Sequence, residues 1–250
     1  MSERVERVAL VTGAAGEIGS AICRRLAAEG YRVVVTYRSR EDEARALLGS
    51  LPGTGHRLGR ADVSDSASLA RLAEEIGQTH GRLDLLVNNA GFTRYVAHDD
   101  LDALDDALID EIFRVNWRGA FAAVRAFAPL LKENGGGVVV NLSSLAGTTG
   151  EGSSVAYCAS KAALDAMTRS LGRALAPGIR VVSVAPGLVA GAYMRRLDPV
   201  WSEAQRANTP LERLTTPDEV AAAVYTAAAH LTFSTGCVIP VDGGRALGHR

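Results

Sequence analysis

The sequence predicts an α/β fold in which a mostly parallel, seven-stranded, doubly wound sheet carries helices on both faces. Short β-branched runs alternate with longer stretches of helical periodicity, and several of the short runs are apolar throughout. Continuously apolar strands are typical of a parallel sheet that is buried on both faces. Because no linker, repeat or low-complexity segment divides the 250 residues, we expect one domain over residues 1–250.

The strands and helices follow from these runs in chain order. Six strands are clear, and a weaker one precedes the third predicted helix. The predicted strands are residues 8–11, 32–36, 56–63 (the weakest), 83–89, 137–143, 179–184 and 237–241. The predicted helices are residues 18–29, 41–48, 66–80, 101–113, 117–133, 155–175 and 217–229. Strand–helix–strand alternation of this kind favours right-handed crossovers and a doubly wound sheet.

Composition and charge exclude several classes of function. The formal net charge is −1, which gives no electrostatic case for a nucleic-acid or membrane partner. No apolar run reaches 18 residues, and the amino terminus lacks the apolar core of a signal peptide. Cys23, Cys158 and Cys237 lie far apart and match no metal-ligand spacing. We therefore expect reduced thiols, no metal site and a cytoplasmic location.

Tyr157 and Lys161 form the most informative pair in the chain, and Ser144 precedes them by thirteen residues. Residues four apart on a helix share one face, so the lysine ammonium is expected beside the phenol. An ammonium at about 4 Å favours the phenolate by about 4 kcal/mol at an effective dielectric of 20. The pair therefore predicts a tyrosine that exchanges its proton near neutral pH, although this spacing alone is also common on protein surfaces.

A glycine-rich turn, Thr12 to Gly19, joins the first predicted strand to the first predicted helix. Glycines at such a junction let the backbone turn sharply and approach a pyrophosphate. The helix that follows supplies free N–H groups and a partial positive charge. The turn therefore predicts a nucleotide-binding end for the sheet, although a lone glycine-rich turn is a weak match.

Several motifs follow one another in a family-specific order. They are the turn from Thr12, Asn88-Asn89-Ala90-Gly91, Ser144, Tyr157 with Lys161, Pro186-Gly187 and Val241-Asp242-Gly243-Gly244. This order resembles the short-chain dehydrogenase/reductase family over residues 5–244, and most of all its 3-oxoacyl-thioester reductases and related ketoreductases. The resemblance implies a Rossmann-type dinucleotide-binding domain, a small-molecule carbonyl substrate that is possibly thioester-linked, and a homotetramer.

The resemblance implies a set of cofactor contacts, in which Asp62 and Val63 bind adenine and Val189 meets the nicotinamide. Arg38 suits a 2′-phosphate, and Tyr37 stands where NAD-preferring relatives have Asp, so we expect NADP(H). The other interpretation makes Arg38 a solvated surface charge. The implied contacts are Gly13, Ala15, Gly16, Glu17, Ile18, Gly19, Tyr37, Arg38, Ser39, Asp62, Val63, Asn89, Ala90, Gly91, Tyr157, Lys161, Pro186, Gly187 and Val189.

Two positions in this set depart from the family pattern. Glu17 stands in place of the second glycine, and Gly191 stands where relatives carry a threonine that contacts the nicotinamide carboxamide. A carboxylate near a pyrophosphate would repel it, so we expect Glu17 to point outward. Ser64 is expected to cap the helix that follows Asp62.

For catalysis, the resemblance implies four residues. Tyr157 donates the proton, Ser144 bonds the same substrate oxygen, and Lys161 lowers the pKa of Tyr157 and binds the nicotinamide ribose. Asn116 anchors a water that leads from Lys161 to solvent; a plain helix cap is the alternative for this residue. Ser143 competes with Ser144, but adjacent strand residues face opposite ways, so only one of them can serve.

Residues 188–212 are long enough for a substrate lid. Tyr193, Met194, Leu197 and Trp201 either line an apolar substrate pocket or close this lid onto the body. The leading prediction is NADPH-dependent reduction of a 3-oxoacyl thioester or similar ketone, with Tyr157 as the general acid. The alternatives are an NAD-linked alcohol or polyol dehydrogenase and a non-catalytic nucleotide-binding protein.

Overall fold

A computed structural model describes residues 7–191 and 199–247, and its seven strands form one sheet. The strand order is β3-β2-β1-β4-β5-β6-β7, and every neighbouring pair is parallel. The α/β prediction is confirmed, with a sheet that is parallel throughout its seven strands. The strands are β1 (Val8–Val11), β2 (Arg32–Tyr37), β3 (Arg57–Arg60), β4 (Leu85–Asn88), β5 (Gly137–Leu142), β6 (Ile179–Pro186) and β7 (Val238–Val241).

Helices cover both faces of the sheet, as expected from the buried strands. The helices are α1 (Glu17–Ala28), α2 (Glu41–Ser50), α3 (Ser66–His80), α4 (Asp106–Phe113), α5 (Ala120–Lys132), α6 (Ala146–Thr149), α7 (Val155–Ala174), α8 (Pro199–Ala207) and α9 (Pro217–Ala229). A π-helical segment, Arg114–Gly119, connects α4 to α5. Single π-helical turns of this kind are frequent at functional sites.

The sequence did not indicate α6 or α8, and it placed the start of α4 and the cap of α3 wrongly. Helix α6 has only four residues, too few to show a period. Helix α4 begins five residues later than predicted, because the Asp105 side chain accepts a hydrogen bond of 2.7 Å from the Leu108 N–H and fixes the start there. The cap of α3 is Asp65, which accepts from the Ala67 N–H, so the prediction of Ser64 as the cap is wrong.

The core consists of two apolar layers, one on each face of the sheet. Alternate strand residues point to opposite faces, so β1 sends Ala9 and Val11 to one layer and Val8 and Leu10 to the other. Helices α1 and α9 complete the first layer, and α3 and α5 complete the second. Within the described residues, no helix is long and apolar enough to cross a membrane.

The strand order reverses between β1 and β4, which are neighbours in the sheet although they are far apart in the chain. In open α/β sheets, ligands bind in the crevice beyond the carboxyl ends of the strands at such a point. The glycine-rich turn follows β1 and the Asn89-Ala90-Gly91 stretch follows β4. Topology thus brings the two predicted nucleotide motifs to one crevice.

Candidate active site

A cleft of about 460 Å³ opens beyond the carboxyl ends of β1, β2 and β4. Most of the cofactor contacts implied by the sequence lie on its walls. These lining residues are Gly13, Gly16, Glu17, Ile18, Gly19, Tyr37, Arg38, Asp62, Val63, Asn89, Ala90 and Gly91. The cleft also has lining residues that the sequence did not single out, among them Arg40, Phe92, Glu111 and Val115.

The floor of the cleft is the glycine-rich turn, which hydrogen bonds from β4 hold in place. Gly13 has a φ of 63°, a left-handed conformation that favours glycine. A Cβ atom on Gly19 would lie only 2.8 Å from the Ala14 Cα, so this position also excludes a side chain. The Asn89 amide donates to the Thr12 and Gly13 carbonyls at 2.9 and 3.0 Å. Asn89 therefore shapes the turn as well as lining the cleft.

The mouth of the cleft is basic on its β2 side, where Arg38 and Arg40 line it. Asp62 lies on the same wall and accepts from the N–H and the hydroxyl of Ser64 at 2.8 and 2.7 Å. Burial acts to raise the pKa of Asp62. The hydrogen bonds from Ser64 and the charges of Arg38 and Arg114 outweigh burial, so the pKa is lowered and the group stays a carboxylate.

Glu17 is exposed, but its carboxylate does not turn away from the site as the sequence suggested. It lines the cleft and reaches Gly191 in the segment after β6, where an added Cβ atom would overlap the carboxylate oxygen. The expectation of an outward Glu17 is therefore wrong. The two departures from the family pattern are in contact with each other, because the space of a side chain at position 191 is taken by Glu17.

At the inner end of the cleft, α7 carries Tyr157 and Lys161 one turn apart. Ser154 begins this helix, since its hydroxyl accepts a hydrogen bond of 3.2 Å from the Tyr157 N–H. Lys161 is only 6% exposed, and its Nζ donates to the Leu142 carbonyl at 2.7 Å. A Cβ atom on Gly91 would lie 3.9 Å from that Nζ, so the wall of the cleft ends beside the lysine.

Of the two serines after β5, Ser144 is the one that interacts with Tyr157. The Ser144 side chain acts to lower the pKa of the Tyr157 phenol. Ser143 is buried, and its hydroxyl points instead to the Lys161 carbonyl at 3.4 Å. Gly147 lets α6 approach the α7 backbone, because a Cβ atom there would lie 2.8 Å from the Ala162 nitrogen. Such close packing fixes Ser144 relative to Tyr157.

The pKa values at this end follow from burial. Burial raises the pKa of Tyr157, and the hydrogen bond with Ser144 offsets this only in part. The prediction that Lys161 lowers the pKa of Tyr157 is therefore wrong for this structure, in which the Lys161 Nζ lies 5.7 Å from the centroid of the Tyr157 ring. Burial lowers the pKa of Lys161 itself to about 8, and the nearby carboxylate of Asp165 opposes that shift.

Asp165 lies one turn after Lys161 on α7 and is 4% exposed. Its Oδ1 has no hydrogen-bond partner among the described residues. Burial raises its pKa, while hydrogen bonding from Ser143 and Ser183 counteracts this effect. Tyr157, Lys161 and Asp165 thus form a row of titratable side chains along one face of the helix.

Asn116 lies in the π-helical segment, and its side chain is fully engaged. Its Oδ1 accepts from the Phe92 N–H at 2.7 Å, and its Nδ2 donates to the Phe92 carbonyl and the Ser160 hydroxyl at 3.0 Å each. The side chain therefore ties the segment after Gly91 to α7 beside Lys161. A plain cap, the alternative drawn from the sequence, does not describe these bonds.

Seven of the implied cofactor contacts do not line the cleft: Ala15, Ser39, Tyr157, Lys161, Pro186, Gly187 and Val189. The last of these pairs with Thr215 in a parallel bridge that uses the Leu188 carbonyl and the Ala190 N–H. That pattern turns the N–H and C=O of Val189 itself away from Thr215.

Within the proposed lid, Tyr193, Met194 and Leu197 lie outside the described residues, and Trp201 on α8 is 42% exposed.

The cleft suits a dinucleotide on structural grounds. Its volume is within the usual range of about 300–1,000 Å³ for small-molecule sites. The glycine turn brings the backbone and the amino-terminal end of α1 to its floor, where an anion is favoured. Two guanidinium groups line it, and the Nζ of the buried Lys161 lies beside Gly91 on its wall. The chemistry of this donor set fits a phosphate-containing ligand.

Comparisons with known proteins agree with this geometry. A family model described as Enoyl-(Acyl carrier protein) reductase matches residues 13–246. The chain is 41% identical over 243 residues to a Streptomyces violaceoruber protein named as ketoacyl reductase 2 of the granaticin polyketide synthase, and the match covers 96% of each. It is 32% identical over 245 residues to the 3-oxoacyl-(acyl-carrier-protein) reductase of Staphylococcus aureus, covering 96% of this chain and 98% of that relative.

Among solved structures, a short-chain dehydrogenase/reductase from Burkholderia xenovorans resembles this fold with a TM-score of 0.89 at 34% identity. The match covers 97% of this chain and 99% of the other. Family model, relatives and fold agree over almost the whole length. The protein therefore belongs to the short-chain dehydrogenase/reductase family.

Proposed function

We propose that the protein is an NADPH-dependent ketoreductase that reduces a 3-oxoacyl thioester or a similar ketone to an alcohol. The observation that carries this proposal is the meeting of the nucleotide cleft and the catalytic helix at Gly91, beside the Nζ of Lys161. When bound, the nicotinamide cofactor would supply the hydride. The protein supplies the proton, the orientation of the carbonyl and the charge that stabilises its oxygen.

Tyr157 is the general acid and Ser144 is the hydrogen-bond partner of the same substrate oxygen. The raised pKa of Tyr157 keeps the phenol protonated at neutral pH, which suits an acid that gives its proton to a developing alkoxide. The influence of the Ser144 side chain on the pKa of Tyr157 supports a shared site for that oxygen. A protonated phenol also favours reduction over the alternative of NAD-linked alcohol oxidation, which needs a base.

Lys161 supplies positive charge behind Tyr157 and contacts the cofactor at the inner end of the cleft. Its anchorage on the Leu142 carbonyl fixes the ammonium at the carboxyl end of β5. Asn116 also acts as a positioning residue, because its side chain holds the Phe92 backbone and Ser160.

The cofactor part of the proposal depends on the basic mouth of the cleft. Gly16 and Ile18, at the start of α1, would offer backbone N–H groups to the diphosphate. Arg38 would bind the 2′-phosphate, for which its planar, permanently charged guanidinium is suited. Tyr37 is the residue that fills the end of β2, so no carboxylate at that position competes for a ribose hydroxyl.

The substrate class follows from the relatives, two of which are named as ketoacyl and 3-oxoacyl reductases.

Assembly into a homotetramer is also part of the proposal. An apolar surface supports the tetramer. On it, Trp117 of the π-helical segment and Phe121 of α5 stack with ring centroids 6.1 Å apart, and Phe121 is 36% exposed. Light scattering of the purified protein tests the tetramer directly.

A substrate and cofactor panel tests the function. We expect NADPH oxidation with β-ketothioesters and not with enoyl thioesters, simple diketones or steroids, and a kcat/KM that favours NADPH over NADH. Higher kcat/KM for NAD⁺-linked oxidation of alcohols or polyols would support the alternative. Absence of turnover with every carbonyl, although NADPH binds, would point to a nucleotide-binding protein without catalysis.

A further inference from the structure

Arg40 is a cation of the cleft to which the motifs in the sequence gave no role. It follows β2 by three residues, is exposed, and lines the cleft together with Arg38. Within residues 7–191 and 199–247, neither of these two guanidinium groups has an ion pair or a side-chain hydrogen bond. By contrast Arg45, one turn further along the same segment, pairs with Glu41.

Arg40 lies beside Gly16, at the start of α1. A Cβ atom on Gly16 would lie 3.9 Å from the Nη2 of Arg40, with only the Gly13 carbonyl nearer. Gly16 is the residue before α1, in an extended conformation that any residue could adopt, and no side chain caps the helix there. The guanidinium of Arg40 therefore lies beside the amino-terminal end of α1.

The charges around the mouth of the cleft explain why one arginine is not enough for a dianion. Glu17, Asp62 and Glu111 line the same cleft as Arg38 and Arg40. Part of the field of Arg38 acts on Asp62, whose pKa it helps to lower. A phosphate monoester carries close to two negative charges and three acceptor oxygens, which suit two guanidinium forks. A ribose hydroxyl at the same place is neutral and gains little from the second fork.

We propose that Arg40 determines cofactor specificity by binding the 2′-phosphate of NADP(H) from the Gly16 side, opposite Arg38. This inference rests on the proposed use of NADPH and names a second residue that would produce that preference. It predicts that Arg40 affects ligands with a 2′-phosphate and leaves ligands without one almost unchanged.

The test compares Arg40→Gln, Arg38→Gln and the control Arg45→Gln in the full-length protein. Dissociation constants are measured by calorimetry for NADPH, NADH, 2′,5′-ADP and 5′-ADP, so that binding is read without turnover. For Arg40→Gln we expect NADPH and 2′,5′-ADP to bind about tenfold more weakly, the effect of losing one charge-assisted hydrogen bond. NADH and 5′-ADP should stay within twofold, and Arg45→Gln should match the wild type for all four ligands.

The outcomes separate this inference from the proposed function. If the wild type prefers NADPH and Arg40→Gln keeps that preference, the role of Arg40 is overturned and the NADPH assignment stands. Equal weakening of NADPH and NADH by Arg40→Gln also overturns it, because a 2′-phosphate contact cannot act on NADH. If the wild type binds NADPH and NADH equally, the proposed cofactor preference and the role of Arg40 both fail.

Discussion

Lys161 and Arg40 are both cations at the nucleotide cleft, and the protein treats them in opposite ways. Lys161 is buried and bonded to the Leu142 carbonyl, and burial lowers its pKa to about 8. Arg40 is exposed, and the described part of the chain offers its guanidinium no partner. The catalytic end is thus preorganised by the protein itself, whereas the nucleotide end leaves its charge available for a ligand. Charges that act on the reacting atoms must be fixed beforehand. Charges that select a ligand can be ordered by it.

Of the two cations, Lys161 should give the larger effect when it is removed. Lys161→Met should lower kcat by about 100-fold or more, the scale of a lost acid–base or electrostatic group. In the wild type, the reduction rate should be highest below pH 8 and fall as the pH rises through about 8, because the buried ammonium is then lost. The measurement is kcat with NADPH from pH 6 to 10.

Lys132, the only other lysine of the chain, is exposed at the end of α5 and provides the control. Lys132→Met should keep both the rate and the pH profile of the wild type. If Lys161→Met retained the fall near pH 8, another group would be responsible for it.

The rigidity of the catalytic end should depend on Gly147. Gly147→Ala places a methyl group 2.8 Å from the Ala162 nitrogen, and this overpacking against backbone should cost about 1–3 kcal/mol of unfolding free energy. Gly49→Ala in α2 is the matched control, since nothing lies within 4 Å of its Cβ and alanine is the better helix former. Urea denaturation compares the two. Equal stability of both variants would show that α6 is not held tightly against α7.

Asp165 should tune the lysine from the next turn of α7. The carboxylate raises the pKa of Lys161, so Asp165→Asn should lower that pKa and move the fall in rate to lower pH. We expect kcat at pH 8 to drop severalfold while kcat at pH 6 changes little. A purely structural residue would lower the rate equally at all pH values. That outcome would show that Asp165 does not act on the rate through the pKa of Lys161.

Replacing Glu17, at the nucleotide end of the cleft, should have the smallest effect of these changes. Its carboxylate lines the cleft near the start of α1, where a diphosphate is favoured. Glu17→Gln should therefore tighten NADPH and NADH alike, by two- to fivefold, since both carry the diphosphate. Calorimetry at low salt measures this. A change confined to NADPH would place Glu17 beside the 2′-phosphate instead. In that case Glu17 and Arg40 would both act on the same group of the cofactor.

The sequence predicted the fold, and it predicted that Tyr157 and Lys161 lie one turn apart on a helix. Apolar strand runs report a buried parallel sheet, and the spacing of Tyr157 and Lys161 reports a shared helix face. What it missed depends on side chains that cross between loops. Arg40 lies beside Gly16, and Glu17 contacts Gly191. The residues of each pair are far apart in the chain, so no periodic pattern in the sequence links them. The sign of the pKa shift of Tyr157 was also missed, since burial depends on packing that no motif records.

The central claim is that Tyr157 gives the proton at the end of a nucleotide cleft, and Tyr157→Phe tests it most directly. We expect kcat for the best β-ketothioester to fall by about 100- to 10,000-fold, the usual contribution of a general acid, while the dissociation constant of NADPH stays within twofold. Tyr95→Phe, at a position 70% exposed, should behave as the wild type. Unchanged turnover in Tyr157→Phe, with NADPH bound normally, would contradict the account.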